Sequence, residues 1–214
     1  MTNLACTEQQ FLNDIREHEM TVIRDDGVHR HIRFKRPQEG AYWFDIITWP
    51  GTLCIDGDCG TYVFRRLEDM FAFFRTDREH GQKDGRTLFI NPGYWGEKLQ
   101  SVARQGGYVE FSDERFVAAI KDRFQSWCED HEPDEATKDD LWESIQDDVL
   151  FCENEHESLR AVYEFRHEPT GFEFTDFFEF CLTNYTFHFI WCCYAIAWGV
   201  ERYDAIQECV EAAQ

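Results

Sequence analysis

Long hydrophobic runs are missing from this 214-residue chain. The most apolar stretch, 185–200 (YTFHFIWCCYAIAWGV), has 16 residues and contains His188. That is short of the ~20 needed to cross a bilayer, so it reads as a buried helix. Basic residues are also scarce: 21 Lys and Arg stand against 42 Asp and Glu, for a formal net charge of −21. A field of that sign repels phosphate backbones and anionic lipid, so neither direct nucleic-acid binding nor membrane association is expected. The opening MTNLACTEQQFL has no basic segment followed by an apolar one, so no secretory leader is expected. Nine Cys are then read as reduced, mostly buried thiols of a cytosolic protein.

Motifs for chemistry are equally sparse. No glycine loop of either phosphate-binding form occurs, since Gly81 to Gly85 lacks the following Lys-Ser/Thr. Asp56-Gly57-Asp58 resembles the start of a calcium loop, but the later ligand positions are absent, and a hairpin turn explains it better. His29, His31, Cys54 and Cys59 lack zinc-ligand spacing. The vicinal pair Cys192-Cys193 points about 100° apart on a helix. Cys59 and His31 could meet across a sheet, but nothing marks either as an activated pair. No catalytic residue, metal or cofactor is therefore expected.

What is present is a large aromatic core. Hydrophobic residues make up 43% and aromatics 16%, with 20 Phe and 7 Trp. A single α+β domain over 1–214 is the expectation, sheet-rich over 20–66 and helical over 67–214. Thr7 and Gln10 sign a helix start near 8–19. A hairpin turning at Asp26-Gly27 follows. Its second arm alternates, with Val28, Arg30, Ile32, Phe34 and Arg36 on one face and His29, His31, Arg33 and Lys35 on the other. The segment 41–66 (AYWFDIITWPGTLCIDGDCGTYVFRR) then supplies three strands, 41–49, 52–55 and 61–65, completing an antiparallel meander of about five.

The period then shifts to helical. LEDMFAFFR (67–75) places Leu67, Met70, Phe71 and Phe74 on one stripe. TDREHGQKDGR (76–86) reads as a mobile loop. Helices are expected at 94–105, at 113–129 behind a Ser112 cap, at 157–167, from a Thr175 cap to Leu182, and at 186–212. Tyr108–Phe111 could add an edge strand.

Charge is distributed unevenly. Residues 1–100 hold 13 basic and 16 acidic groups, whereas 101–214 hold 8 and 26. The segment 128–158 alone carries 13 acids and one base, Lys138, yet Leu141, Trp142, Ile145, Val149 and Leu150 keep a helical stripe through it. It therefore reads as folded helix with a carboxylate-covered face. The candidate partner-binding residues are Glu129, Asp130, Glu132, Asp134, Glu135, Asp139, Asp140, Glu143, Asp147 and Asp148. Solubility alone is the competing explanation. A second candidate is Arg33, Lys35, Tyr42 and Trp43, a basic aromatic strand face resembling a stacking platform for a nucleotide. Internal pairing of that basic face with the acidic helices is the simpler reading. A metal-dependent hydrolase is the least supported alternative, and the aromatic excess leaves a homodimer open.

The blocks YWFDIITWPGTLCIDGDCGTYVFRRLEDMFAFFR, INPGYWGEKL and TFHFIWCCYAIAWGVERYD resemble a family of small accessory proteins of tailed phages and prophages, over Arg33 to Tyr203. The shared pattern is a strand ending in TWPG, a GD turn, TYVF and an EDMF-type helix. The resemblance implies a phage protein working in a host bacterial cytoplasm. It carries no catalytic residues with it. Small acidic phage proteins of this kind are often inhibitors of host defence, of the anti-CRISPR or anti-restriction type. On that basis the expected partner is a host protein or complex with a basic, nucleic-acid-binding surface, which the acidic face would occupy as a DNA mimic.

Overall fold

The computed structural model describes residues 6–76, 88–102, 107–151 and 154–212. The loop expected at 76–86 falls, beyond Thr76, outside the described residues. The fold is α+β. A six-stranded antiparallel sheet runs in sequence order, formed by β1 (Glu19–Asp26), β2 (His29–Lys35), β3 (Phe44–Trp49), β4 (Thr52–Gly57), β5 (Tyr62–Arg65) and β6 (Leu99–Val102). The chain divides into two compact units, residues 1–110 with 185–214, and residues 111–184. This is a finer division than the single domain read from sequence.

In the first unit, α1 (Glu8–Ile15) begins where Thr7 accepts a hydrogen bond from the Gln10 amide, which satisfies a donor the helix itself cannot. The hairpin β1–β2 turns at Gly27, whose φ of 60° suits glycine. On β2, Ile32 and Phe34 are fully buried while Arg33 and Lys35 are exposed, as the alternation predicts. β3 starts at Phe44, three residues later than expected, because Tyr42 takes a positive φ of 58° that ends strand geometry. The helix expected at 67–75 shortens to α2 (Met70–Arg75). Asp69 caps it through the Phe71 amide, and Leu67 lies outside, 43% exposed.

The helix expected at 94–105 is not formed over 97–102, and 103–105 lie outside the described residues. A five-residue helix, α3 (Pro92–Gly96), comes first, and β6 then pairs with β5 through Tyr62↔Val102 and Phe64↔Leu99. Over the sheet lies α7 (Phe187–Ala212), apolar on every side in its first half, as expected of a central helix. Trp191 touches Phe11 and Phe44, and Trp198 touches Phe34, with ring centroids 5.1, 5.6 and 5.2 Å apart. The helix lies close enough that a Cβ on Gly199 would sit 2.5 Å from Ile46 Cδ1. Cys192 and Cys193 are buried in this layer, and burial pushes both thiols well up. They are core residues.

The second unit has its own core. Its helices are α4 (Asp113–His131), α5 (Glu135–Asp148) and α6 (Glu155–Glu164). Ser112 caps α4 as expected, accepting from the Arg115 amide. Ile120, Leu141, Ile145, Val149 and Val162 are fully buried together, each such side chain contributing roughly 1.5–3 kcal/mol. The helix expected from Thr175 to Leu182 reduces to one 3₁₀ turn, Phe177–Glu179, because Asp176 adopts a left-handed φ of 52° and offers no side-chain cap. The strand expected near Tyr108 is β7 (Val109–Phe111), which pairs with β8 (Thr183–Tyr185). Among the described residues no helix is long and apolar enough to cross a membrane.

Candidate functional site

The acidic face is built on α5. Leu141, Ile145 and Val149 recur every four residues and turn one side of the helix inward. Three steps of four on the other side bring Glu135, Asp139, Glu143 and Asp147 into a single exposed ridge. Consecutive carboxylates are then about 6 Å apart along the axis. The 14-residue helix carries six acids and one Lys over about 21 Å, a net negative charge every ~4 Å. One strand of DNA carries a phosphate every ~3.4 Å. The linear charge densities are comparable.

All ten predicted acidic residues are exposed, but they are not equivalent. Asp134 caps α5, accepting from the Thr137 amide at 2.8 Å. Hydrogen bonds from the Thr137 side chain and amide hold its carboxyl below the usual range. Glu135 pairs with Lys138 at 3.3 Å, and Asp140 lies 3.3 Å from the buried His167 ring. Glu129 accepts a hydrogen bond from Gln125. Asp130, Glu132, Asp139, Glu143, Asp147 and Asp148 make no salt bridge among the described residues, so their charge faces solvent. Four of the ten thus have local work, and six form the free array.

Between α4 and α5 lies a groove of about 750 Å³ that the sequence reading missed. Lys121, Phe124 and Cys128 fall on one stripe of α4, Glu132 follows at its C-cap, and Asp139 and Trp142 line the groove from α5. Phe124 and Trp142 touch with ring centroids 4.9 Å apart. Half-buried aromatics at helical spacing read from sequence as core. Only the pairing of the two helices reveals that these two line a concavity.

The basic strand face is organised differently from the expectation. Asp45 on β3, 4% exposed, accepts from Arg33 Nε and Nη2 at 2.8 Å each and lies 2.8 Å from His31 Nε2. Burial by itself raises an acid, but the hydrogen bonds from Arg33 and His31 outweigh it and leave the Asp45 carboxyl lowered. Arg33 also lies over the Trp43 ring at 5.6 Å. Tyr42 turns away and stacks on Trp191. Arg33, Lys35, Tyr42 and Trp43 therefore do not converge on one platform, and only Lys35 among the two cations is without an ion pair among the described residues. The partners of this basic face are acids of the same unit. Arg30 behaves likewise, reaching Asp69 at 2.8 Å.

Burial pushes the Cys59 thiol up to about 12 and the Cys54 thiol up to about 11. Among the described residues no three His, Cys, Asp or Glu side chains gather closely enough to hold a metal ion. No protein-family model, curated protein or solved structure matches the chain.

Proposed function

We propose that this protein is a non-enzymatic binding protein whose acidic helical unit docks on a basic, nucleic-acid-binding surface of another protein, its carboxylates standing in for phosphates. The observation that carries this reading is the exposed acidic helix α5, where Asp139, Glu143 and Asp147 make no salt bridge among the described residues and the helix as a whole has nearly the charge density of a DNA strand. Segregation of charge supports it further. Residues 111–184 hold 21 acids and 6 bases, a net of −15, whereas the rest of the chain holds 21 acids and 15 bases, a net of −6. Solubility needs only dispersed charge, and like charges in register along one helix cost stability. The setting that the phage resemblance implies, inhibition of a host defence complex in the bacterial cytoplasm, belongs to the same proposal. Arg33 is already neutralised by Asp45, so a nucleotide-sequestering role on the sheet is the weaker alternative.

The test is competition. The protein should displace labelled duplex DNA from the basic grooves of DNA-binding defence nucleases, with an affinity that falls steeply as salt rises. Reversing Asp139, Glu143 and Asp147 to Lys should abolish displacement. Salt-independent binding, or binding that survives the reversal, would sink the proposal.

A further inference from the structure

The groove between α4 and α5 joins features that a plain acidic surface lacks. Its floor is the Phe124–Trp142 pair, and Glu129, Glu132 and Asp139 line it alongside. We propose that this groove receives a single arginine side chain from the basic partner, an inference that rests on the docking reading above. A guanidinium is planar and weakly hydrated, stacks on aromatic faces, and forks onto carboxylates. The groove offers both kinds of surface in one concavity, and arginine is among the side chains that dominate interface energetics.

The two lysines in the groove sharpen the assignment. Lys138 is tied to Glu135 at 3.3 Å, so its charge is met locally. Lys121 precedes Glu132 by eleven residues on α4 and its cap, about 16 Å along the axis. The groove is therefore cationic at one end and carboxylate-rich at the other. A polycation laid along its whole length would meet Lys121, whereas one cation seated at the carboxylate end would not. An anionic ligand such as a nucleotide would face three carboxylates.

The experiment titrates the full chain by calorimetry with capped hexa-arginine and hexa-lysine peptides, in low and moderate salt. A groove of this kind should favour the arginine peptide by about tenfold. Trp142→Leu should remove that preference, weakening the arginine peptide much more than the lysine peptide. If Trp142→Leu fails to fold, Phe124→Leu serves with the same readout. Equal affinities for the two peptides, or a preference untouched by the substitution, would overturn the arginine groove and leave the docking proposal standing. Failure of both peptides to bind even in low salt would overturn the docking proposal and the groove with it.

Discussion

The ridge on α5 should make the protein less stable than it could be. Glu135, Asp139, Glu143 and Asp147 form three consecutive like-charge contacts at four-residue spacing. Every one of the three involves Asp139 or Glu143. The double variant Asp139→Asn, Glu143→Gln therefore removes all three while keeping side-chain size. Helix propensity is nearly unchanged, since Asp and Asn rank together, as do Glu and Gln. Each like-charge contact costs roughly 0.2–0.5 kcal/mol, so the variant should gain about 1 kcal/mol. The steps of about 6 Å are within the Debye length of ~10 Å at 0.1 M salt but exceed the ~3 Å at 1 M. Urea unfolding followed by helical circular dichroism should thus show a higher midpoint for the variant in low salt, converging on the parent in 1 M salt. The same variant should compete less well for a basic DNA-binding groove. A midpoint that is unchanged or lower in low salt would refute the reasoning, because the carboxylates would then not be acting as a repulsive array.

Gly199→Ala should destabilise the first unit: the helix-propensity gain of about 1 kcal/mol is outweighed by overpacking of about 1–3 kcal/mol, since the new Cβ meets Ile46 and the Phe34 ring at 2.5 and 3.1 Å. Thermal unfolding measures this, and a raised melting temperature would show that α7 can lift off the sheet freely. Asp45→Ala should cost about 1–3 kcal/mol at neutral pH, toward the low end because Arg33 and His31 can turn to water. The Asp45 carboxyl is lowered in the fold, so its contribution is complete above the ordinary value near 4 and is lost as pH falls through the lower folded value. Urea midpoints of parent and variant should accordingly differ at pH 7 and approach each other below pH 4, and a constant gap would count against the pairing. A maleimide should label the exposed Cys181 first, because hydrogen bonding to Thr183 lowers its thiol, and should reach Cys192 and Cys193 only in denaturant. Early labelling of the vicinal pair would contradict their place in the core.

The sequence made some of this legible and hid the rest for physical reasons. Period-2 alternation on β2 separated Ile32 and Phe34 from Arg33 and Lys35 correctly, because one face is covered and the other is not. The all-round apolarity of 185–200 was read correctly as a buried helix, the first half of α7, which packs on the sheet rather than at the centre of a helical layer. Leu99–Val102 went the other way: its neighbours are helix formers, and only pairing with β5, a long-range contact, makes it a strand. Thr175 looked like a cap, but the chain turns at Asp176 instead. At the candidate site, the acidic residues were legible as a list and their inequality was not. Nothing in composition distinguishes Asp134, which holds a helix end, from Asp139, which makes no hydrogen bond or ion pair among the described residues.

That inequality bears on why the charge is where it is. The chain leaves the first unit through β7 and returns through β8, and these two strands pair, so the ends of the acidic segment lie side by side. Segments with adjacent ends can be inserted into a fold and accommodated as separate units. The acidic unit also has a core of its own, in which Leu141, Ile145, Val149 and Val162 are fully buried. Its surface could therefore accumulate carboxylates at a cost of a few tenths of a kcal/mol per contact without involving the sheet. On the sheet the opposite holds: Arg30 and Arg33 are matched to Asp69 and Asp45, charge against charge. The sheet pairs two of its arginines with carboxylates, whereas the acidic unit leaves Asp139, Glu143 and Asp147 without an ion pair among the described residues. Such a row, maintained against its own repulsion beside a groove lined by Phe124 and Trp142, is what the proposed docking reading requires and dispersed charge for solubility does not.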